Sequence, residues 1–120
     1  MRANGPTGTS LATATFVAGD SAGGNWALSL LLMARDAGVS PDAAVTFSAA
    51  TDHAATGESF ITRAELDPVL RVDSRTVRQY SQVNLGDVDL KTPLASPLYA
   101  DLSGLPPLLM QVGDRPERSA

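Results

Sequence analysis

The 120-residue sequence contains no cysteine, which excludes disulfides and thiolate metal sites and leaves no mark of a redox compartment. Histidine occurs once, at His53, so a single imidazole is available for any acid–base or metal chemistry. Aromatic residues make up only 5% of the chain, and no apolar run approaches the roughly 18 to 20 residues that cross a bilayer, so no membrane span is expected. Lys and Arg number 9 against 13 acids, and they never cluster. That charge pattern excludes the electrostatic footprint of a nucleic-acid binder and leaves a neutral or weakly polar small molecule as the expected partner. The N-terminus carries Arg2 but no apolar stretch behind it, so no secretory signal is read there and a cytoplasmic address is expected.

What is present is an ordinary globular composition, 43% hydrophobic and 18% charged, at the length of one small domain. Residues 1–14 are rich in Gly, Thr, Ser and Ala without a sustained period and read as a flexible lead-in. Thr15 to Ala18 forms a short, partly β-branched apolar run ended by Gly19, as in a buried strand of a parallel sheet. The period then becomes helical. Ala27, Leu30, Leu31 and Ala34 share a stripe that Leu28 and Leu32 widen, and Gly38 and Pro41 act as stop signals, so a helix is expected from Gly23 to Ala37. A second strand is expected over Ala43–Phe47, completing a right-handed βαβ unit. The stretch from Thr51 to Thr92 is more polar, with Asp73 placed to cap a short helix carrying Val77 and Tyr80, and with turns at Asp67-Pro68 and Gly86-Asp87. A third buried strand is expected over Leu108–Val112, entered from the stiff Pro106-Pro107 pair.

Gly19-Asp20-Ser21-Ala22-Gly23 matches G-x-S-x-G and sits between an expected strand and an expected helix. The context gives the motif its weight, since the bare pattern alone, which arises by chance in roughly a few per cent of chains of this length, is a moderate signal. A sharp strand-to-helix turn strains the serine backbone and presents Oγ outward, and flanking glycines let strand and helix approach closely. The helix N-terminus directs N–H groups and its positive dipole end at the same point, where an oxyanion would form. The competing reading is a glycine turn that serves packing or a phosphate. The sequence has neither G-x-G-x-x-G nor a Gly-Lys-Ser/Thr ending here, so no dinucleotide or P-loop site is supported.

Val17-Ala18-Gly19-Asp20-Ser21-Ala22-Gly23-Gly24-Asn25, followed by an Ala- and Leu-rich helix, resembles the nucleophile elbow of the hormone-sensitive-lipase-like bacterial esterases. The stretch from Pro93 to Pro107 is similar to the segment leading into that family's penultimate strands. The resemblance covers residues 15 to 114. It implies an α/β fold, specifically a partial α/β-hydrolase with an incomplete, mostly parallel sheet and flanking helices, followed by an unrelated tail over 115–120. It further implies carboxylic-ester hydrolysis through an acyl-serine intermediate, with no cofactor, Ser21 as nucleophile and the Ala22 N–H as an oxyanion donor. Residues 51–92 would help wall the acyl pocket.

The departures matter equally. The family's His-Gly-Gly-Gly motif does not occur in these 120 residues, and Pro116 stands where its catalytic acid is expected, with Asp114 and Glu117 nearby but off the motif. The acid is therefore assigned to no residue. This pattern is expected from a truncated or frame-changed esterase that is inactive by itself. The alternative is a non-catalytic interaction module that retains the elbow. His53 precedes the place where the family supplies its histidine and reads as a polar loop residue, so no catalytic histidine is assigned. Ala49 and Ala50 replace the family's proline and bulky residue. Asp87, Asp89 and Asp101 fit no Ca²⁺ loop and read as turn carboxylates, so no metal is expected. Asp20 reads as a brace of the elbow and Trp26 as a packing residue.

Overall fold

The structure is a computed structural model that describes residue 8, residues 11–66 and residues 73–113. The Asp67-Pro68 turn, Asp114, Pro116, Glu117 and the 115–120 tail lie outside the described residues, as does most of the 1–14 lead-in. The chain divides into two compact units, one made of residues up to Ala49 together with those from Ser103 onward, the other of Ala50–Leu102.

The first unit holds a three-stranded parallel sheet in the order β1 (Phe16–Asp20), β2 (Ala43–Phe47) and β3 (Leu108–Gln111), with helix α1 (Ser21–Asp36) crossing from β1 to β2. All three expected strands and the crossover helix are present, β2 with the expected limits and β1, α1 and β3 with shifted ones. Pairing of β1 with β2 runs on to Asp20↔Phe47, so β1 continues past Ala18 through Gly19, and α1 begins at Ser21 rather than Gly23. Thr15 lies just outside β1, where its N–H donates to Asp42 Oδ2 at 2.7 Å and its carbonyl accepts from the Asp42 N–H at 2.8 Å. At the other end of α1, the Gly38 N–H donates to Arg35 O at 2.9 Å and the Val39 N–H to Ala34 O at 2.8 Å. These two bonds form a Schellman motif, and Gly38 adopts the φ of 70° that it requires. The Arg35 guanidinium reaches Ser103 O at 2.9 Å, tying the end of α1 to the turn that leads into β3.

The core is built from Leu28, Leu31 and Ala44, with Val17, Ala49, Leu105 and Leu108 packed against them. The buried face of α1 runs through Gly24, Leu28 and Leu31, so Ala27, Leu28, Leu31 and Leu32 of the expected stripe are buried, whereas Ala34 is half-buried and Leu30 is 42% exposed. The helix is apolar over most of its circumference, so spacing alone cannot choose its rotation. Contact does: a Cβ on Gly24 would sit 2.6 Å from Ala49 Cβ, so only this bare position lets α1 approach so closely, and Leu28 and Leu31 lie on the same face at i+4 and i+7. Trp26, two residues round from Gly24, points away and is 75% exposed, which corrects its assignment to packing.

The strands are buried on one face only. Val17, Ala44 and Leu108 contribute to the core beside α1, whereas Phe16 and Leu109, which alternate with them, are 69% and 64% exposed. The expectation of fully buried strands is thus corrected: an apolar run shows that a strand can be covered on both faces, but coverage depends on a second layer, which the described residues of this unit do not supply.

The second unit contains α2 (Ser59–Thr62), a 3₁₀ turn at Ala64–Leu66, α3 (Ser74–Leu85) and a 3₁₀ turn at Pro97–Tyr99. As expected, Asp73 caps α3, its Oδ1 accepting from the Thr76 N–H at 2.7 Å. That bond holds the Asp73 carboxyl below its ordinary pKa. No described helix is long and apolar enough to cross a membrane.

Candidate active site

The sharpest feature of the first unit is the β1-to-α1 turn. Ser21 is exposed and has φ 50°, a left-handed backbone that non-glycine residues rarely adopt. The surrounding glycines show how this conformation is enforced. A Cβ on Gly19 would fall onto the Gly23 carbonyl and lie 2.8 Å from Gly24 N, so the first turn of α1 rests directly on the end of β1. Gly24 is wedged against Ala49 as described above. Gly23 is different: a Cβ there would meet only Asp20 Oδ1, at 3.9 Å. Close approach is therefore enforced by Gly19 and Gly24, and the second glycine of the motif contributes little to it. The pattern reading credited both motif glycines, because a one-dimensional pattern does not reveal which Cβ positions are occupied.

Asp20 is the N-cap residue of α1, with extended φ and ψ of −118° and 150°, yet its side chain makes no capping bond. Its expected bracing role is not seen in that form. The N–H groups of the first turn thus receive no side-chain cap from Asp20, in a place where four backbone donors are unsatisfied by the helix itself. A separate apolar groove of about 180 Å³, lined by residues that include Leu30, Ala34, Val39 and Pro41, lies toward the opposite end of α1 from Ser21 and has no part in the elbow.

In the second unit, His53 is held at two points. Its backbone N–H donates to Ser96 Oγ at 2.9 Å, and its Nδ1 lies 2.8 Å from Ser81 Oγ. Ser81 Oγ already donates its proton to Val77 O at 2.8 Å, so Nδ1 carries the hydrogen and donates it to Ser81. Ser96, fully buried, donates its own hydroxyl hydrogen bond to Leu90 O at 2.5 Å. The imidazole thereby ties the loop after residue 50 to α3; the sequence analysis gave neither serine a role, although Ser96 falls within the Pro93–Pro107 stretch that resembles the family.

Beside it, the buried Asp52 accepts from the Ala54 N–H at 3.0 Å, the Thr56 N–H at 2.6 Å, Thr56 Oγ1 at 2.8 Å and the Tyr99 hydroxyl at 3.2 Å. Burial opposes its ionisation, but these donors outweigh that and hold the carboxyl below its ordinary 3.8. A lowered folded pKa contributes stability that is fully present above 3.8 and is lost as pH falls through the lower folded value. Asp52→Asn is accordingly expected to destabilise the second unit at pH 7 by about 1.5 to 3 kcal/mol, the range for hydrogen bonds to a charged group. In urea unfolding the gap should narrow as pH drops below 3.8. An equal gap at low pH would assign the effect to shape rather than charge.

Asp87, Asp89 and Asp101 are exposed, and Asp89 Oδ1 accepts from the Lys91 N–H at 3.0 Å as part of a turn. Among the described residues no group of three potential metal ligands comes together.

Comparison with known proteins agrees with this architecture. A family model described as alpha/beta hydrolase fold matches residues 8–117. An acetyl-hydrolase of Streptomyces hygroscopicus is 45% identical over 98 residues, covering 81% of this chain and 32% of its own. An esterase of Acinetobacter venetianus is 32% identical over 102 residues, covering 82% and 33%. Among solved structures, an esterase from the bacterial hormone-sensitive lipase family superposes with a TM-score of 0.75 at 47% identity, covering 82% of this chain and 33% of that one. A hormone-sensitive lipase from a metagenome library gives 0.75 at 37% identity, covering 82% and 34%. The chain thus spans about a third of the length of the curated relatives it matches.

Proposed function

Since this chain belongs to the hormone-sensitive-lipase-like esterases of the alpha/beta-hydrolase fold, with a partial form of that fold in its parallel sheet and flanking helices, we propose that it carries the nucleophile segment of a carboxylic-ester hydrolase. The observation that supports this best is Ser21: an exposed serine with φ 50° on the strand-to-helix turn of G-x-S-x-G.

In this reading Ser21 Oγ attacks the carbonyl carbon of a small-molecule ester while its proton passes to a general base. The tetrahedral oxyanion is met by the Ala22 N–H at the positive end of α1, which Asp20 leaves without a side-chain cap. Collapse breaks the bond to the alkoxy group, which leaves as the alcohol after taking up a proton, and an acyl-serine remains for water to hydrolyse. The proposal needs no cofactor. The only imidazole in the 120 residues, His53, is bound through Nδ1 to Ser81, and we assign it no part in proton transfer. The acid is likewise placed on no described residue.

The test joins residues 15–113 to the flanking segments of the Streptomyces acetyl-hydrolase. The joined protein is expected to hydrolyse p-nitrophenyl acetate, and Ser21→Ala in it to lower kcat by about 10⁴-fold or more. Retained turnover in the Ser21→Ala variant would remove the serine from the mechanism.

A further inference from the structure

The end of β2 carries unfavourable features that packing does not explain. Asp20 and Phe47 are register partners, so Ser21 and Ser48 are the first residues beyond the ends of two neighbouring strands. Paired strands lie about 4.8 Å apart. Ser48 has φ 45°, so both serines are left-handed, and both are exposed. Glycine would adopt that backbone without penalty. The hold on Ser48 is through its main chain, the N–H donating to Gln111 O at 2.7 Å, a bond that asks nothing of the side chain. Two residues earlier, Thr46 is 1% exposed and its buried Oγ1 has no hydrogen-bond partner among the described residues. Strained backbones and orphaned buried hydroxyls are rare, and they concentrate where a ligand is handled. Thr15 Oγ1, at the amino end of β1, is orphaned as well, but the two left-handed serines both stand at the carboxyl edge of the parallel sheet, where α/β folds bind their ligands.

Resting on the reading of Ser21 as nucleophile, we infer that Ser48 is a substrate-contacting residue whose hydroxyl donates a hydrogen bond to the ester held at Ser21. The strand spacing supports this, because an ester bonded to Ser21 Oγ comes within reach of a hydroxyl one strand away. No bond to Ser48 forms or breaks. Its donor orients the ester for attack.

Two variants of the joined protein separate contact from backbone geometry. Ser48→Ala keeps the strained backbone without the hydroxyl, and Ser48→Gly removes both the hydroxyl and the strain. Both are expected to lower kcat/KM for p-nitrophenyl acetate by about tenfold, the loss of one hydrogen bond, although Ser48→Gly should raise the unfolding midpoint. A Ser48→Gly protein as active as the parent would show that the position serves only to turn the chain, and would overturn the inference. Failure is distinguishable from failure of the nucleophile reading. An active parent silenced by Ser21→Ala but indifferent to both Ser48 variants rejects Ser48 alone, whereas an active parent that keeps its turnover in Ser21→Ala rejects the Ser21 assignment and this inference with it.

Discussion

The 120-residue polypeptide by itself is expected to give no detectable turnover of a short p-nitrophenyl ester and no stoichiometric labelling of Ser21 by a fluorophosphonate probe. The elbow positions the serine but does not activate it. An unactivated hydroxyl at neutral pH is a weak nucleophile, and general-base catalysis and an oxyanion donor are each worth on the order of 10²- to 10⁴-fold. In these residues the one imidazole is held through Nδ1 by Ser81 and is assigned no part in proton transfer, and no His-Gly-Gly-Gly segment is present to complement the Ala22 N–H. Such groups act as a unit, so the part that remains is not expected to recover a proportionate share of the rate. Supplying the flanking segments should restore both turnover and labelling. If the polypeptide alone labels at the rate of an ordinary serine hydrolase, the assignment of His53 to a structural role is wrong. His53→Ala then becomes the variant to make.

Gly19→Ala is expected to be the most damaging single methyl addition in the first unit. The added carbon would land on the Gly23 carbonyl and crowd Gly24 N, and both are backbone atoms of a helix already pinned by Gly24 against Ala49. Overpacking against movable side chains costs about 1 to 3 kcal/mol, and a backbone that cannot yield places this case at or beyond the upper end, about 3 kcal/mol or more. The readout is a lower unfolding midpoint or loss of soluble protein in the joined form. Gly23→Ala is the matched control. Its Cβ meets only Asp20 Oδ1 at 3.9 Å, and alanine in a helix is favoured over glycine by up to about 1 kcal/mol, so this variant should be neutral or slightly more stable. Equal damage from the two substitutions would mean that the close approach of α1 to β1 is not what holds the elbow.

The contrast between these two glycines shows how far the pattern carries. G-x-S-x-G between an apolar run and a helical period was enough to locate the turn and pick out Ser21, because both periodicities and the turn chemistry are local properties of the chain. The Asp73 cap and the Gly38 stop were legible for the same reason, each depending on residues within a few positions. The motif gave no sign that Gly24, outside it, is wedged more tightly than Gly23, within it. The left-handed backbone of Ser48 was equally invisible, because Ser48 is 27 positions from Ser21 and only strand register puts the two just past the ends of neighbouring strands.

By itself, then, the sequence determined the α/β class, the order of strand, helix and strand, the family resemblance and the serine at the turn. All of these follow from residue type and short-range spacing. Only the tertiary structure decided which face of α1 is buried, that one face of the sheet stays exposed at Phe16 and Leu109, and that His53 is held by Ser81 and Ser96. The physical reason is common to all three. A nearly all-apolar helix and a short apolar strand can each be covered in more than one way, and a histidine can find its partner anywhere in the chain. Long-range contact chooses among these options, and contacts 28 and 43 positions apart leave no periodic trace in the sequence.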